Sequence, residues 1–332
     1  LHQLILGFLP AIILGFVAYK VPLEWFKKWS VVFVCCNLIA VFLVFIPHLG
    51  VNAGGASRWL NLRFFSFQPS EILKITSILY LASWIASKLS SETARDWKQT
   101  LQNTWHNVLY ILLPFLVFLG AISMALMLQK DASTLGIISL TLLAMYFSAK
   151  TPLWHSGLIV IMGATALLLL VKFEPYRLAR WTVFLDPNND PLGKGFQLKQ
   201  SMIAIGSGGF WGKGLGMSIE KFGYLPQAMS DSIFAVIGEE IGFIGCVVLV
   251  ALFVALFLIG IYIYRNSRDT FSKLTAIGIV FWISLQAFIN MASSAGIFPL
   301  AGVPLPFFSY GGTHLVVELI GIGILLNIAK QV

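Results

Sequence analysis

Long unbroken apolar runs, separated by short polar or glycine- and proline-rich stretches, set the pattern of this chain. Runs near the roughly 20 residues needed to cross a hydrocarbon core recur from end to end. They predict nine membrane-crossing helices, at about 4–19, 30–47, 70–87, 108–128, 132–149, 153–172, 233–263, 271–293 and 312–329. The runs are continuous, whereas a membrane barrel needs apolar–polar alternation in segments of about ten residues. The expected fold is an all-α polytopic helix bundle, with one large structured loop at 173–230 within a single transmembrane domain covering 1–332.

Composition agrees. Of 332 residues, 58% are hydrophobic and 11% charged, less than half the roughly 25% charge of soluble domains. A net charge of +8 would suggest nucleic acid in a soluble protein, but here it reads as the positive-inside bias, and no nucleic-acid partner is expected. Alternate short segments hold Lys20, Lys27, Lys28, Lys88, Arg95, Lys98, Lys150, Arg265, Arg268, Lys273 and Lys330, while the short loops opposite hold Arg58, Arg63 and Lys130. That asymmetry places the C-terminus in the cytoplasm. With nine crossings the visible N-terminus then lies outside, and a further helix before residue 1 would return it inside. Cys35, Cys36 and Cys246 lie within apolar runs, with no disulfide or metal spacing.

The loops 49–69, 173–230 and 294–311 gather on the outer side. The stretch "FQLKQSMIAIGSGGFWGKGLG" is too apolar and aromatic for disorder, so it is expected to lie along the interface or dip back into the protein. Its glycines resemble a nucleotide-binding loop only superficially. Five residues separate Gly206 from Gly212, and Gly214 follows Lys213 where Ser or Thr is required.

Candidate chemistry concentrates around "KFGYLPQAMSDSIFAVIGEE" (221–240). Asp231 stands where a polar loop meets an apolar helix. A cap that accepts an orphan backbone N–H and a general base at the outer face are both open there, and the roles can coexist. Glu239 and Glu240 follow by about 12–14 Å of helix, too far for a close carboxylate pair, and read as structural partners or walls of a polar cavity. In "QPSEILK", Glu71 and Lys74 share a helical face, as an internal ion pair or with Lys74 near a bound anion. Arg58 of "GGASRW" is a candidate for gripping phosphate. His314 and Glu318, four apart, are expected to satisfy each other, and the histidines form no metal cluster.

Three stretches together resemble one family. They are "GGASRWLNLRFFSFQPSEILK", "FLDPNNDPLGKGFQLKQSMIAIGSGGFWGKGLGMSIEKFGYLPQAMSDSIFAVIGEEIGFIG" and "GIFPLAGVPLPFFSYGG", in the order found in the SEDS proteins, the FtsW/RodA peptidoglycan polymerases of bacterial shape, division and sporulation. Lys221, Tyr224, Leu225 and Pro226, with "FFSFQPSE", are most similar to the division type, FtsW. The resemblance implies ten helices with both ends cytoplasmic, so that the first would be absent here. It implies a multi-pass protein of the bacterial cytoplasmic membrane that polymerises lipid II into glycan at the outer face, releasing undecaprenyl pyrophosphate during division. Asp231 takes the place of the family's essential aspartate, with Ser230 and Ser232 standing for its usual Thr and Phe neighbours. Arg58, Lys74 and Lys221 are candidates for the pyrophosphate, with a divalent cation (Mg or Mn) as a possible helper and no organic cofactor. Glu71, Glu239, Glu240, Ser309 and Tyr310 are expected to support the site. Expected partners are a class B penicillin-binding protein acting as transpeptidase, other division membrane proteins and membrane lipids. A departure falls at "QKDAST", where Asp131 and Thr134 are kept but Lys130 and Ser133 replace the usual Pro and Gly. The competing readings are a lipid II flippase or a non-catalytic division scaffold.

Overall fold

A computed structural model describes residues 3–53, 56–61, 66–90, 108–149, 151, 154–155, 157–159, 162–163, 175–190 and 193–332. In chain order its elements are α1 (Leu9–Lys20, continuing a π turn Leu4–Phe8), α2 (Leu23–Leu43), the strands β1 (Gly50–Ala53), β2 (Ala56–Asn61) and β3 (Ser66–Phe67), and α3 (Pro69–Ser90). Then come α4 (Leu113–Leu128, continuing a π turn Val108–Leu112), α5 (Ala132–Ser148), α6 (Pro175–Leu185), α7 (Lys194–Ser207), α8 (Ile233–Asn266), α9 (Thr270–Ser294) and α10 (Gly312–Ala329). Every expected crossing except 153–172 coincides with a helix. Most of that stretch lies outside the described residues, as do Arg63, Arg95, Lys98 and Lys150. Among the described residues, five helices are long and apolar enough to cross a membrane: Leu23–Leu43, Val108–Leu128, Ile233–Asn266, Thr270–Ser294 and Gly312–Ala329. The protein is a membrane-embedded helix bundle.

One departure from the all-helical expectation lies in the loop 49–69, which forms a small antiparallel sheet in the order β1-β2-β3. Val51 pairs with Trp59, and Leu60 with both Gly50 and Phe67. Such short strands carry too few alternating positions to stand out from loop sequence.

The described residues group into two units. The first comprises Leu1–Leu153, Phe257–Ile283 and Gly311–Val332. Within it α1 lies against α10 at backbone distance. A Cβ on Gly15 would sit 2.8 Å from the Leu319 carbonyl, and one on Gly323 would sit 2.1 Å from the Gly15 carbonyl. This is the small-residue contact by which membrane helices approach without a hydrophobic driving force. Asn327 locks the pair by donating to the Ala18 and Val21 carbonyls at 3.1 and 2.6 Å. Apolar side chains such as Phe115 and Tyr146, stacked 4.3 Å apart, fill the interior of this unit.

The second unit comprises Trp154–Leu256 and Ser284–Tyr310, and it contains Asp231. Its internal packing includes the cluster of Ala204, Leu225, Ala228, Ala235 and Val236, joined by Ile205 and Ile233. That cluster seats the 225–232 turn between α7 and the start of α8.

Candidate active site

Asp231 is the last residue but one before α8. Ser232 occupies the position next to the first helical residue, its carbonyl accepting from the Ala235 N–H at 3.0 Å. The turn leading there is tied from several directions. Ser230 and Ser232 N–H groups donate to the Gln227 carbonyl, and the Ser232 hydroxyl donates to the Pro226 carbonyl at 3.1 Å. Gln197 of α7 donates to the Ser232 oxygen at 3.1 Å. From the 295–310 segment, the Ser309 hydroxyl donates to the Ser230 carbonyl at 2.6 Å and the Tyr310 N–H to the Met229 carbonyl at 2.7 Å. Asn290 of α9, 2% exposed, donates both to the Asp231 carbonyl (2.8 Å) and to the Val303 carbonyl (2.7 Å). The main chain on both sides of Asp231 is thus held while its side chain stays half-buried.

That side chain lines a cavity of about 130 Å³ with Arg180 of α6, Gln197, Ser293 and Ser294 at the end of α9, and residues 300–303. The volume is roughly ten times the 10–15 Å³ that admits one water, enough for a phosphate or part of a sugar. Gly302 has φ of 63°, and a Cβ there would lie 3.5 Å from Asp231 Oδ2. Glycine adopts that backbone without strain and keeps the wall beside the carboxylate thin. Arg180 donates to the Ala301 carbonyl at 3.4 Å, which steadies the guanidinium against the same wall. One carboxylate, one guanidinium and two serines share the cavity. This set can take a proton from a hydroxyl, hold an anionic group and hydrogen-bond a sugar.

Other expected site residues in this unit are engaged elsewhere. Lys221 pairs with Glu240 at 2.6 Å and donates to the Gly216 carbonyl at 2.7 Å. Glu239, fully buried, accepts from Lys213 (2.7 Å), the Ser218 hydroxyl (2.6 Å), and the Ile219 and Glu220 N–H groups (3.2 and 3.4 Å). The two glutamates fasten the 213–221 loop to α8, as the structural-partner reading expected. Ser309 and Tyr310 hydrogen-bond the Ser230 and Met229 carbonyls beside Asp231.

In the first unit, Glu71 and Lys74 form the expected ion pair at 2.8 Å, both buried, with the Lys74 ammonium 5.2 Å from the Trp282 ring centre. Arg58 of β2 donates to the Gln129 and Lys130 carbonyls at 3.3 and 2.6 Å, tying the sheet to the turn before α5. Asp131 is the N-cap of α5. It accepts from the Thr134 N–H at 3.2 Å and from Ser70 and Gln68 at 3.1 and 3.3 Å. The cap gives Asp131 a structural role, while Thr134 contributes its backbone N–H to it.

The profile of the FtsW/RodA/SpoVE family, described as cell cycle proteins, matches residues 1–332. The chain belongs to this family. It is 39% identical over 321 residues to the probable peptidoglycan glycosyltransferase FtsW of Coxiella burnetii, covering 96% of this chain and 83% of that one. It is 37% identical to that of Geobacter sp. strain M18, covering 95% and 82%, and 36% identical to that of Escherichia coli O6:H1, covering 96% and 74%. Among solved structures it is similar to a chain of a peptidoglycan synthase complex described as coordinating polymerization and crosslinking. That likeness has a TM-score of 0.75 and 26% identity, over 97% of this chain and 86% of the other. The rod shape-determining protein RodA of Thermus thermophilus shares the fold, with a TM-score of 0.66 and 22% identity over 97% and 85%.

For this FtsW/RodA family member, sequence reasoning had passed over Arg180, Gln197, Asn290, Ser293 and Ser294. A signal for the last three was present. Asn290, Ser293 and Ser294 are three and four apart at the end of an apolar helix, hence on one face. Arg180 carried no comparable mark, since it sat among several basic residues of a long loop.

Proposed function

We propose that the protein is a peptidoglycan glycosyltransferase of the bacterial inner membrane. It polymerises lipid II into glycan at the outer membrane face during division, with Asp231 as general base. The observation that carries this reading is the cavity that joins Asp231 and Arg180 on a rigidly tied turn, in a chain 39% identical to a probable FtsW glycosyltransferase. A sugar hydroxyl is a weak nucleophile. Asp231 accepts its proton as the oxygen attacks the donor's anomeric carbon, and the bond from that carbon to the pyrophosphate oxygen breaks. The displacement inverts the carbon and needs no covalent enzyme intermediate. A positioned base of this kind contributes roughly 10²–10⁴-fold.

The departing pyrophosphate carries the developing negative charge, and a fixed cation there lowers the barrier. Arg180 suits that role because it lines the same cavity as Asp231. Arg58 and Lys74 remain candidates for contacts to the rest of the donor. Among the described residues no group of three or more His, Cys, Asp or Glu is placed to hold a metal ion. A single carboxylate with substrate phosphates is nonetheless a common magnesium arrangement, so Asp231 would be the protein's ligand and the cation would supply further charge neutralisation. The crosslinking partner fits a class B penicillin-binding protein. Nine crossings within one transmembrane domain, with the loop 173–230 carrying much of the site, complete the reading.

The test is glycan synthesis by purified protein from fluorescent lipid II, with and without the transpeptidase partner and a divalent cation. Ladders from wild type and none from Asp231→Asn, with both proteins folded, support the assignment. Ladders from both remove Asp231 from the chemistry. No ladder from either under any condition favours a flippase or a scaffold.

A further inference from the structure

Helix α8 covers 34 residues, well beyond the roughly 20 that cross a hydrocarbon core. It is also broken. Gly242 has φ of 74° and ψ of −169°, outside helical geometry. Before the break come nine residues that include Glu239 and Glu240. After it, 243–264 contains no charged residue until Arg265, and this stretch alone spans roughly 33 Å. The second half of α8 therefore suffices to cross the membrane, and Gly242 marks the outer edge of that crossing.

A break at such a depth frees backbone groups that must find partners. The glycine-rich segment 208–214 supplies them on both sides. Lys213 and Gly214 N–H groups donate to the Glu239 and Glu240 carbonyls at 2.9 and 3.0 Å, while Phe243 and Ile244 N–H groups donate to the Gly209 and Phe210 carbonyls at 2.8 and 3.3 Å. A Cβ on Gly212 would lie 2.2 Å from the Glu240 carbonyl oxygen, so the approach requires glycine. The pairing fixes the height of the segment, level with the point where α8 becomes wholly apolar.

The side chains at its tip point away from the protein. Phe210 is 70% and Trp211 83% exposed. Phe210 meets Phe243 edge-on at 5.8 Å, and Phe243, Val247, Val250 and Val254 are exposed along the apolar half of α8. The tip thus continues the exposed apolar face of a helix long and apolar enough to cross a membrane. Lys213, two residues beyond Trp211, turns back to Glu239. An outward-facing aromatic tip beside a lysine tied back to the protein is in keeping with membrane interfaces, where tryptophan is enriched.

We infer that Phe210 and Trp211 form an interfacial anchor seated in the outer leaflet, at the boundary between acyl chains and headgroups of phospholipid. Asp231 lies just before the nine helical residues, roughly 13 Å of helix, that precede Gly242, so the anchor sets the height of the cavity above the hydrocarbon. For a polyprenyl pyrophosphate donor, whose reacting carbon is bonded directly to the headgroup phosphate, that height matters. This last consequence rests on the proposed function, whereas the anchor itself does not.

The test reads depth, not activity. The protein, with Cys35, Cys36 and Cys246 replaced by alanine, carries a spin label at Trp211→Cys or Val250→Cys in phospholipid nanodiscs. The anchor predicts that the label at 211 collides more with lipid-dissolved oxygen than with an aqueous nickel chelate, at a shallower depth than the label at 250. Predominantly aqueous collisions at 211 overturn it. Shielding from both reagents also overturns it, in favour of a protein covering the tip. Where the cysteine-free background does not fold, bromolipid quenching compared between wild type and Trp211→Phe gives the same reading. Loss of quenching in the variant supports the anchor, and equal quenching overturns it.

Discussion

Asp231 and Glu239 are carboxylates eight residues apart on the same stretch of chain, yet their surroundings differ in kind. Glu239 is fully buried, and four donors from the 213–220 loop converge on its two oxygens. The Asp231 carbonyl accepts from Asn290, and its half-buried side chain lines a cavity shared with Arg180 and two serines. A carboxylate surrounded by donors from its own chain has little left to offer a substrate. A carboxylate that lines an open volume is placed where a substrate group can reach it. Residue type and place in the sequence do not distinguish the two residues. What distinguishes them is what each side chain faces: a converging set of loop donors for Glu239, an open cavity for Asp231.

Substitution separates them most sharply at Asp231. Asp231→Asn keeps size and local hydrogen-bonding geometry but removes the base. Polymerisation should fall by roughly 10²–10⁴-fold, with thermal stability in detergent unchanged. A variant that loses stability along with activity would make Asp231 a second Glu239. At Glu239 the expectation reverses. Glu239→Ala leaves Lys213, Ser218 and two N–H groups without their acceptor and should destabilise by about 3 kcal/mol, read as a lowered unfolding midpoint. Residual activity per folded molecule should be well above that of Asp231→Asn.

How much of this was legible in sequence follows from the range of the forces involved. The helices were legible because each must bury backbone polarity by itself across the hydrocarbon, which forces long apolar runs. Asp231 was legible through its motif, and the Glu71–Lys74 pair through helical spacing. The partners of Glu239 and Glu240 were not, because Lys213 and Lys221 reach them through a loop whose path no periodicity encodes. For the same reason the Lys221–Glu240 pair and the grip of the Arg58 guanidinium on two carbonyls before α5 were not legible in sequence. The break in α8 was hidden for a related reason. Gly242 lies in an apolar run like many tolerated membrane glycines, and only the pairing with 208–214 shows what it is for.

Asn290 tests whether backbone restraint is what fits Asp231 for its role. Its amide joins the Asp231 and Val303 carbonyls, and Asn290→Leu removes both bonds while keeping bulk. Each net hydrogen bond is worth about 1 kcal/mol, so a stability loss of about 2 kcal/mol is expected. The decisive readout is kinetic. If Asn290 positions the base, kcat falls more than KM rises, and Asn290→Gln, with a longer amide, does not restore it. A loss confined to stability would mean that the other ties, from Ser309, Tyr310 and Gln197, hold Asp231 adequately.

The smallest effect is expected at Lys221, and it sharpens the comparison from the other side. Its ammonium is 22% exposed and lies 2.6 Å from Glu240, itself 14% exposed, so solvent screens the pair and its loss should cost no more than about 1 kcal/mol. If Lys221 serves only to fasten the 213–221 loop, Lys221→Gln should leave KM for lipid II nearly unchanged and lower the unfolding midpoint slightly. A severalfold rise in KM with unchanged stability would instead return Lys221 to the pyrophosphate. Glu240→Gln then separates the possibilities. It releases the lysine without removing its charge, so it should lower KM if Lys221 binds substrate and mimic Lys221→Gln if the pair is a fastening alone.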